Sequence, residues 1–253
     1  MKSNTNLNIA LTDSRLLLFL IIFVAAILRF WNFINIPFTH DEMSTLFRTR
    51  FDSFSDLIDL GVRTDTHPPG IQVFLYYWIK LFGDANWVVK LPFISMGLGL
   101  IWYVFLIGKK WFNDSVGLIS ASLITVLQFT VMYSQIARPY ISGAFLIMGF
   151  TYYLSLLIST PKVKYFRNYA LVVLFAILSA YNHHFSLLAV GLIGVQGLVF
   201  LDRKYILKYL SIAVVVAVFY LPNIEIFLSQ LERGGVGDWL GVPGPGFILE
   251  FFS

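Results

Sequence analysis

Long, almost uncharged apolar runs recur along this chain, and they constrain its fold more than any other feature. The hydrocarbon core of a bilayer is about 30 Å thick, and a helix needs roughly 20 apolar residues to cross it. The pattern predicts an all-α protein, a polytopic transmembrane helical bundle of about seven spans that forms one membrane domain, 1–253. The predicted spans are 14–34, 88–108, 116–134, 140–158, 168–183, 185–201 and 208–222.

The composition agrees with a membrane protein and excludes several kinds of site. Charged residues are 13% of the chain, against about 25% in a soluble domain, so too few remain to cover a water-facing surface. The sequence contains no cysteine, which excludes disulfides, thiolate nucleophiles and Cys-ligated metals. The net charge of +4 does not indicate a nucleic-acid partner, because the basic residues lie in loops between apolar runs.

The distribution of Lys and Arg predicts the orientation of the spans. Short cytoplasmic loops carry an excess of these residues, and four basic clusters fall on one side if the spans alternate. The clusters are Lys2 and Arg15; Lys109 and Lys110; Lys162, Lys164 and Arg167; and Arg203, Lys204 and Lys208. We expect that side to be cytoplasmic, which places a loop, 35–87, and a tail, 223–253, on the outer face.

Two stretches of the outer loop are predicted to lie at the membrane interface. Residues 71–82 are apolar but only about 18 Å long as a helix, so we expect an interfacial or re-entrant segment. From Phe51 to Val62, apolar residues recur at helical spacing opposite three acids, which predicts an amphipathic helix along the surface.

Asp41 and Glu42 open the outer loop, and they have two interpretations. Thr39 and Glu42 fit a T-x-x-E capping box, and Asp41 in the first turn complements the helix dipole, so the pair can simply start a helix. Alternatively, two carboxylates at a membrane face provide a general base and its partner. The spacing alone favours capping.

Three further polar groups fall on the same predicted face. Asp65 and His67 precede two prolines on a stiff turn, where they suit a divalent cation or, with His67 protonated, a phosphate. Arg138, at the start of the fourth span, suits an anionic oxygen or lipid headgroups. His183 and His184 lie at the turn after the fifth span, as interfacial hydrogen-bonders or, on weaker grounds, metal ligands.

The order of these motifs resembles that of the polyprenyl-phosphate-sugar-dependent glycosyltransferases of the C-type membrane fold. That superfamily includes protein O-mannosyltransferases, aminoarabinose transferases acting on lipid A, and galacturonosyltransferases of the lipopolysaccharide core. The resemblance covers about residues 14–222. It rests on Asp-Glu after the first span, His-Pro-Pro, Leu-Phe-Gly-Asp, Lys-Leu-Pro, Gly-Lys-Lys-Trp-Phe, Ser-x-x-Ala-Arg-Pro-Tyr and a His after the fifth span.

The resemblance implies transfer of a sugar, with inversion, from a polyprenyl-phosphate donor to a hydroxyl of lipid A, lipopolysaccharide core, a glycan or a protein. The reaction would occur at the outer face of the bacterial cytoplasmic membrane, among membrane lipids. The implied roles are catalysis by Asp41 and Glu42, donor phosphate binding by His67 and Arg138, and cavity positions for Tyr140, His183 and His184. A divalent metal held by Glu42, Asp65 or His67 is a candidate cofactor, which a monophosphate-linked donor does not strictly require.

Members of that superfamily are usually longer, with further spans after the outer loop that begins near Pro222, so we expect this chain to be an N-terminal fragment. A polytopic transporter or lipid flippase is the main alternative. Such carriers place ionisable groups near mid-membrane, whereas the acids here lie at the surface. A non-catalytic scaffold or receptor subunit, in which Asp41 and Glu42 only cap a helix, is the second alternative.

Overall fold

The computed structural model describes residues 14–159, 164–232, 244 and 246–247. These residues form helices joined by short turns, with no strand among them, which confirms the predicted all-α class. Beyond Glu232, the predicted tail lies almost entirely outside the described residues. The helices are α1 (Ser14–Phe30), α2 (His40–Phe47), α3 (Phe54–Asp56), a π-helix (Leu57–Val62), α4 (Gly70–Phe82), α5 (Asn86–Trp111), α6 (Asp114–Val126), α7 (Gln128–Ser134), α8 (Pro139–Ser159), α9 (Tyr165–Asn182), α10 (His184–Phe200), α11 (Ile206–Tyr220) and α12 (Ile224–Glu232), with short 3₁₀ turns before and after α11.

Several of these helices are long and apolar enough to cross a membrane. Three qualify outright: α5, α8 and the helical stretch Arg203–Glu232, which contains α11 and α12. The described residues contain a fourth candidate span if α6 and α7, which are bent relative to each other, are counted as one. The apolar helix α10 is shorter, at 17 residues. The protein is therefore a multi-pass membrane protein, and the number of seven spans stays a prediction.

One end of the bundle is basic. The last turns of α5, α8 and α10 line a common cavity that includes Lys110, Ser159 and Phe200, so these three helices end on the same side. In the α5–α6 turn, Lys109 forms an ion pair of 2.8 Å with Asp114. The helices of the predicted outer loop, 35–87, and the starts of α5 and α8 lie at the other end. This arrangement agrees with the alternation of spans from which the orientation is predicted.

An apolar cluster packs the predicted outer loop against the bundle. Its buried members include Leu46 of α2, Leu75 of α4, Phe93 of α5 and Ile141 of α8. Because α2 and α4 share this core with the first turns of α5 and α8, the outer-loop helices are fixed to the ends of the spans. The start of α2 is thereby placed beside the α7–α8 turn.

The predicted span 116–134 is not one helix. The helix is interrupted at Leu127, and the axes of α6 and α7 differ in direction by 63°. Backbone groups freed by such a break must find partners inside the protein, because lipid offers none. The bend turns α7 so that the chain after it, 135–138, meets the outer loop.

Arg29 of α1 donates hydrogen bonds to the carbonyl oxygens left without helical partners at this interruption. Its side chain is fully buried, and its guanidinium also donates to the carbonyl of its own helix at Ala25. Four further hydrogen bonds of 3.2–3.3 Å reach the carbonyl oxygens of Ile124 and Thr125 and the hydroxyls of Thr130 and Ser134. Arg29 therefore stabilises the bend between α6 and α7.

Candidate active site

Helix α2 begins with the predicted capping box. The Thr39 N–H and hydroxyl donate to Glu42 Oε2 at 2.8 and 3.0 Å, and the Glu42 N–H donates to the Thr39 hydroxyl at 3.3 Å. The other oxygen, Glu42 Oε1, accepts a 2.8 Å hydrogen bond from the Ala137 N–H. With its side chain only 1% exposed, Glu42 ties the first turn of α2 to the α7–α8 turn.

Asp41 is exposed, in contrast to its neighbour. Its carboxylate accepts a hydrogen bond of 3.4 Å from the Tyr140 hydroxyl. Asp41 and Thr45 are four residues apart on α2 and so share a face of the helix. The Thr45 hydroxyl accepts a hydrogen bond from the Arg138 guanidinium. Asp41 therefore lies one helical turn from the hydroxyl that holds Arg138.

Arg138 is a buried cation, with only 6% of its surface exposed. Besides Thr45, its guanidinium reaches Nε2 of His67 at 3.5 Å. Its Nε atom is buried without a hydrogen-bond partner, and no carboxylate in the described part of the chain forms an ion pair with it. A buried charge is costly unless it is paired, so this position favours an anionic ligand.

His67 is held from its other side by Asp65, with Nδ1 and Oδ1 3.3 Å apart. Because a guanidinium only donates, Nε2 of His67 accepts and its Nδ1–H donates to Asp65. Asp65 also accepts 2.7 Å hydrogen bonds from the Thr66 N–H and from Gln72. Burial raises the pKa of Asp65, but His67, the Thr66 N–H and Arg48 outweigh it, so this pKa lies below its usual value. Asp65 is therefore an ionised support for the imidazole.

Two close contacts bring the separate motifs together. At Gly70, the first residue of α4, a Cβ atom would clash with the Tyr181 carbonyl oxygen, so glycine allows segment 65–70 to approach the end of α9. Asn182 is buried and donates to the Pro139 carbonyl oxygen at 2.9 Å, while it accepts from Ser142 at 2.7 Å. These contacts fix the α9–α10 turn against both the loop and the start of α8.

The two adjacent histidines have different neighbours. The His183 ring meets the His67 ring edge-on, with centroids 5.2 Å apart. Burial, and to a smaller extent the neighbouring His67, His184 and Arg138, lowers the pKa of His183 to about 4, so this ring is neutral at pH 7. His184 contacts Gln230 of α12, with Nε2 and Oε1 3.2 Å apart. Only His183 of the pair therefore packs directly against His67.

The predicted metal ligands are not gathered into one site. Within the described ranges, no group of three or more His, Asp and Glu side chains is arranged to hold a metal ion. Both oxygens of Glu42 already accept hydrogen bonds, from Thr39 and Ala137. A divalent cofactor stays a prediction.

The sequence interpretation missed two members of this site. Thr45 follows Asp41 by four residues. The helix that the capping box predicts would place both side chains on one face, so this spacing could have identified Thr45. Gln230 lies in the region predicted as an outer tail, and nothing in its local sequence indicates a contact with residues far away in the chain.

The family model described as dolichyl-phosphate-mannose-protein mannosyltransferase matches residues 66–225, which is more than half of the chain. The matched range includes His67, Arg138 and both adjacent histidines, and it begins after Asp41. No curated protein and no solved structure matches the chain. The order of motifs and the matched range lead to one conclusion: this chain belongs to the dolichyl-phosphate-mannose-protein mannosyltransferase family, a family of membrane glycosyltransferases that use polyprenyl-phosphate-linked sugar donors.

Proposed function

We propose that this protein moves a sugar from a polyprenyl phosphate to an acceptor hydroxyl at the outer face of the cytoplasmic membrane, with inversion at the anomeric carbon. The observation that carries the proposal is Arg138, a buried guanidinium that contacts His67 and has no carboxylate partner among the described residues. Preorganised donors aimed at developing charge lower the barrier of such reactions. The donor phosphate is the anion that suits Arg138, and the His67 imidazole lies beside this guanidinium.

The proposed reaction is a single displacement. Asp41 takes the proton from the acceptor hydroxyl, as a general base, and the acceptor oxygen forms a bond to the anomeric carbon. The bond from that carbon to the phosphate oxygen breaks, and the phosphate leaves with the electron pair and one additional negative charge. The exposure of Asp41 supports this role, because an acceptor in water can reach its carboxylate.

Glu42 and Tyr140 have supporting roles in this proposal. Glu42 holds the α7–α8 turn through the Ala137 N–H, one residue before Arg138, so it sets the distance between the base and the phosphate site. The Tyr140 hydroxyl orients Asp41 through their hydrogen bond. His183, neutral and packed against His67, lies beside the proposed phosphate site.

The test measures transfer from a polyprenyl-phosphate sugar by the full-length protein in membranes. Asp41→Asn removes the base and should lower kcat by about 10²- to 10⁴-fold, the usual contribution of general base catalysis. Arg138→Lys replaces a planar five-donor group by a point charge and should raise the KM for the donor.

Asp52→Asn and Arg50→Lys are the matched controls, because both side chains are exposed in the same outer loop. Neither should change transfer. Near wild-type turnover by Asp41→Asn would remove Asp41 as the base, and an unchanged donor KM in Arg138→Lys would remove the phosphate site.

A further inference from the structure

Gln230 of α12 joins two motifs of the candidate site through one amide group. Its Nε2 donates to the backbone carbonyl oxygen of His67 at 2.9 Å and points toward that of Val62 at 3.5 Å. Its Oε1 lies 3.2 Å from Nε2 of His184. The side chain is 5% exposed, so water does not compete for these hydrogen bonds.

The two carbonyl oxygens fix which way this amide is oriented. A carbonyl oxygen only accepts, so the group facing His67 and Val62 must be the NH₂, and the oxygen of the amide must face His184. The hydrogen bond to this oxygen then requires a proton on Nε2 of His184. Gln230 therefore selects the tautomer of His184 as well as the backbone position of His67.

We propose that Gln230 is a positioning residue for donor binding, which holds His67 at the phosphate site and His184 at the adjoining turn. This inference rests on the proposed function. The two nitrogens of the His67 ring contact Arg138 and Asp65, and the backbone of the same residue is held by Gln230. When the His67 carbonyl oxygen loses its hydrogen bond from Gln230, the backbone at this residue shifts and carries the imidazole away from the phosphate. Small displacements of a binding group weaken binding strongly.

A second link between α12 and the outer loop provides a matched control. Glu225 accepts a hydrogen bond of 2.9 Å from Arg63, and the Glu225 side chain is 76% exposed. Exposed ion pairs contribute little to stability. Glu225→Gln therefore weakens a contact between the same two segments without touching the imidazoles.

The first measurement is the KM for the polyprenyl-phosphate sugar. Gln230→Met keeps the length of the side chain and removes both hydrogen bonds, and it should raise the donor KM by about tenfold with little change in the acceptor KM. Glu225→Gln should leave both unchanged. Loss of folded protein lowers the maximal rate without changing KM, so a lower rate at unchanged donor KM would overturn the proposal.

The second measurement is the ¹⁵N spectrum of the histidine rings, which does not depend on activity. The chain has four histidines, so His184→Gln assigns the signal of His184. The wild-type protein should show one tautomer protonated at Nε2, and Gln230→Met should show a mixture; identical spectra would overturn the proposal. Absence of transfer by the wild-type protein would instead contradict the proposed function, and the spectrum would then decide the role of Gln230.

Discussion

Asp41 and Glu42 are adjacent in the sequence, but their carboxylates have opposite surroundings. Consecutive residues of a helix point about 100° apart, so one side chain of the pair faces water while the other enters the contact with the α7–α8 turn. Glu42 has three donors around it, and Asp41 has one long hydrogen bond. This difference separates a structural carboxylate from a chemically available one.

Replacement of Glu42 by Gln should destabilise the protein. An amide has one oxygen, so it satisfies either the Thr39 N–H or the Ala137 N–H and places its own NH₂ against the other. An unsatisfied buried donor costs about 1–3 kcal/mol. The measurement is the thermal unfolding midpoint of the purified protein, which should fall.

Asp41→Asn is the control for this substitution. Because the Asp41 side chain is exposed, the thermal unfolding midpoint of this variant should stay close to that of the wild type. If Asp41→Asn and Glu42→Gln instead lowered the midpoint equally and left transfer intact, both carboxylates would be helix caps, as the scaffold alternative requires.

At the scale of single residues, features encoded by a local sequence pattern could be predicted, whereas contacts between residues distant in the sequence could not. The capping box of Thr39 and Glu42 follows from a four-residue pattern, and the structure contains it. The hydrogen bond from the Ala137 N–H to Glu42 joins residues 95 positions apart, and no local pattern encodes it. The order of motifs indicated the candidate residues, whereas their contacts depend on the packing of the whole bundle.

The bend between α6 and α7 depends on close packing around Arg29. Gly97 of α5 lies against this group, and a Cβ atom there would clash with the Ser134 hydroxyl and lie 3.3 Å from Nε of Arg29. Ser134 also donates to the Thr130 carbonyl oxygen at 2.6 Å. Rotation of Ser134 away from a new methyl group would break both of its hydrogen bonds.

Gly97→Ala should therefore lower the thermal midpoint, although alanine is the better helix former. The expected loss is about 1–3 kcal/mol, as for other disrupted buried networks. Gly191→Ala in α10 is the control, because no atom lies within 4 Å of the new Cβ, and its midpoint should be equal or slightly higher. A midpoint that does not fall in Gly97→Ala would show that the network around Arg29 tolerates displacement.

The break at Leu127 was not predicted because hydropathy continues across it and neither glycine nor proline marks it. A signal was present elsewhere, in the charge of Arg29 within an otherwise apolar first span. A buried guanidinium requires acceptors, and the carbonyl oxygens of an interrupted helix provide them. The short helix α4 was easier to predict, because length alone shows that 71–82 cannot cross a bilayer.

The whole molecule has a basic end and an end that carries the candidate site. The apolar runs predicted this division, since alternating spans return every basic cluster to one side. The contact of α12 with the outer loop was not predicted, because it depends on Gln230 and on the path of the chain after α11. The buried Arg29 does not favour the transporter alternative, since its donors are used within the protein rather than in a pathway.

The orientation can be tested with single cysteines, because these 253 residues contain none. Ala85 and Ser115 are exposed and lie at opposite ends, at the start of α5 and in the first turn of α6. In spheroplasts, Ala85→Cys should react with a membrane-impermeant maleimide, whereas Ser115→Cys should react only after the membrane is opened. The reverse pattern would place the candidate site in the cytoplasm.

The guanidinium of Arg138, which forms no ion pair within the described ranges, has a consequence for turnover. In the proposed reaction the donor is a phosphodiester with one negative charge, whereas the spent carrier is a monoester with a charge of about −1.5 to −2 at pH 7. A cation with no carboxylate partner among the described residues attracts the more highly charged lipid more strongly. The spent carrier should therefore leave slowly and compete with fresh donor, so that the rate of glycosylation falls as free polyprenyl phosphate accumulates in the bilayer.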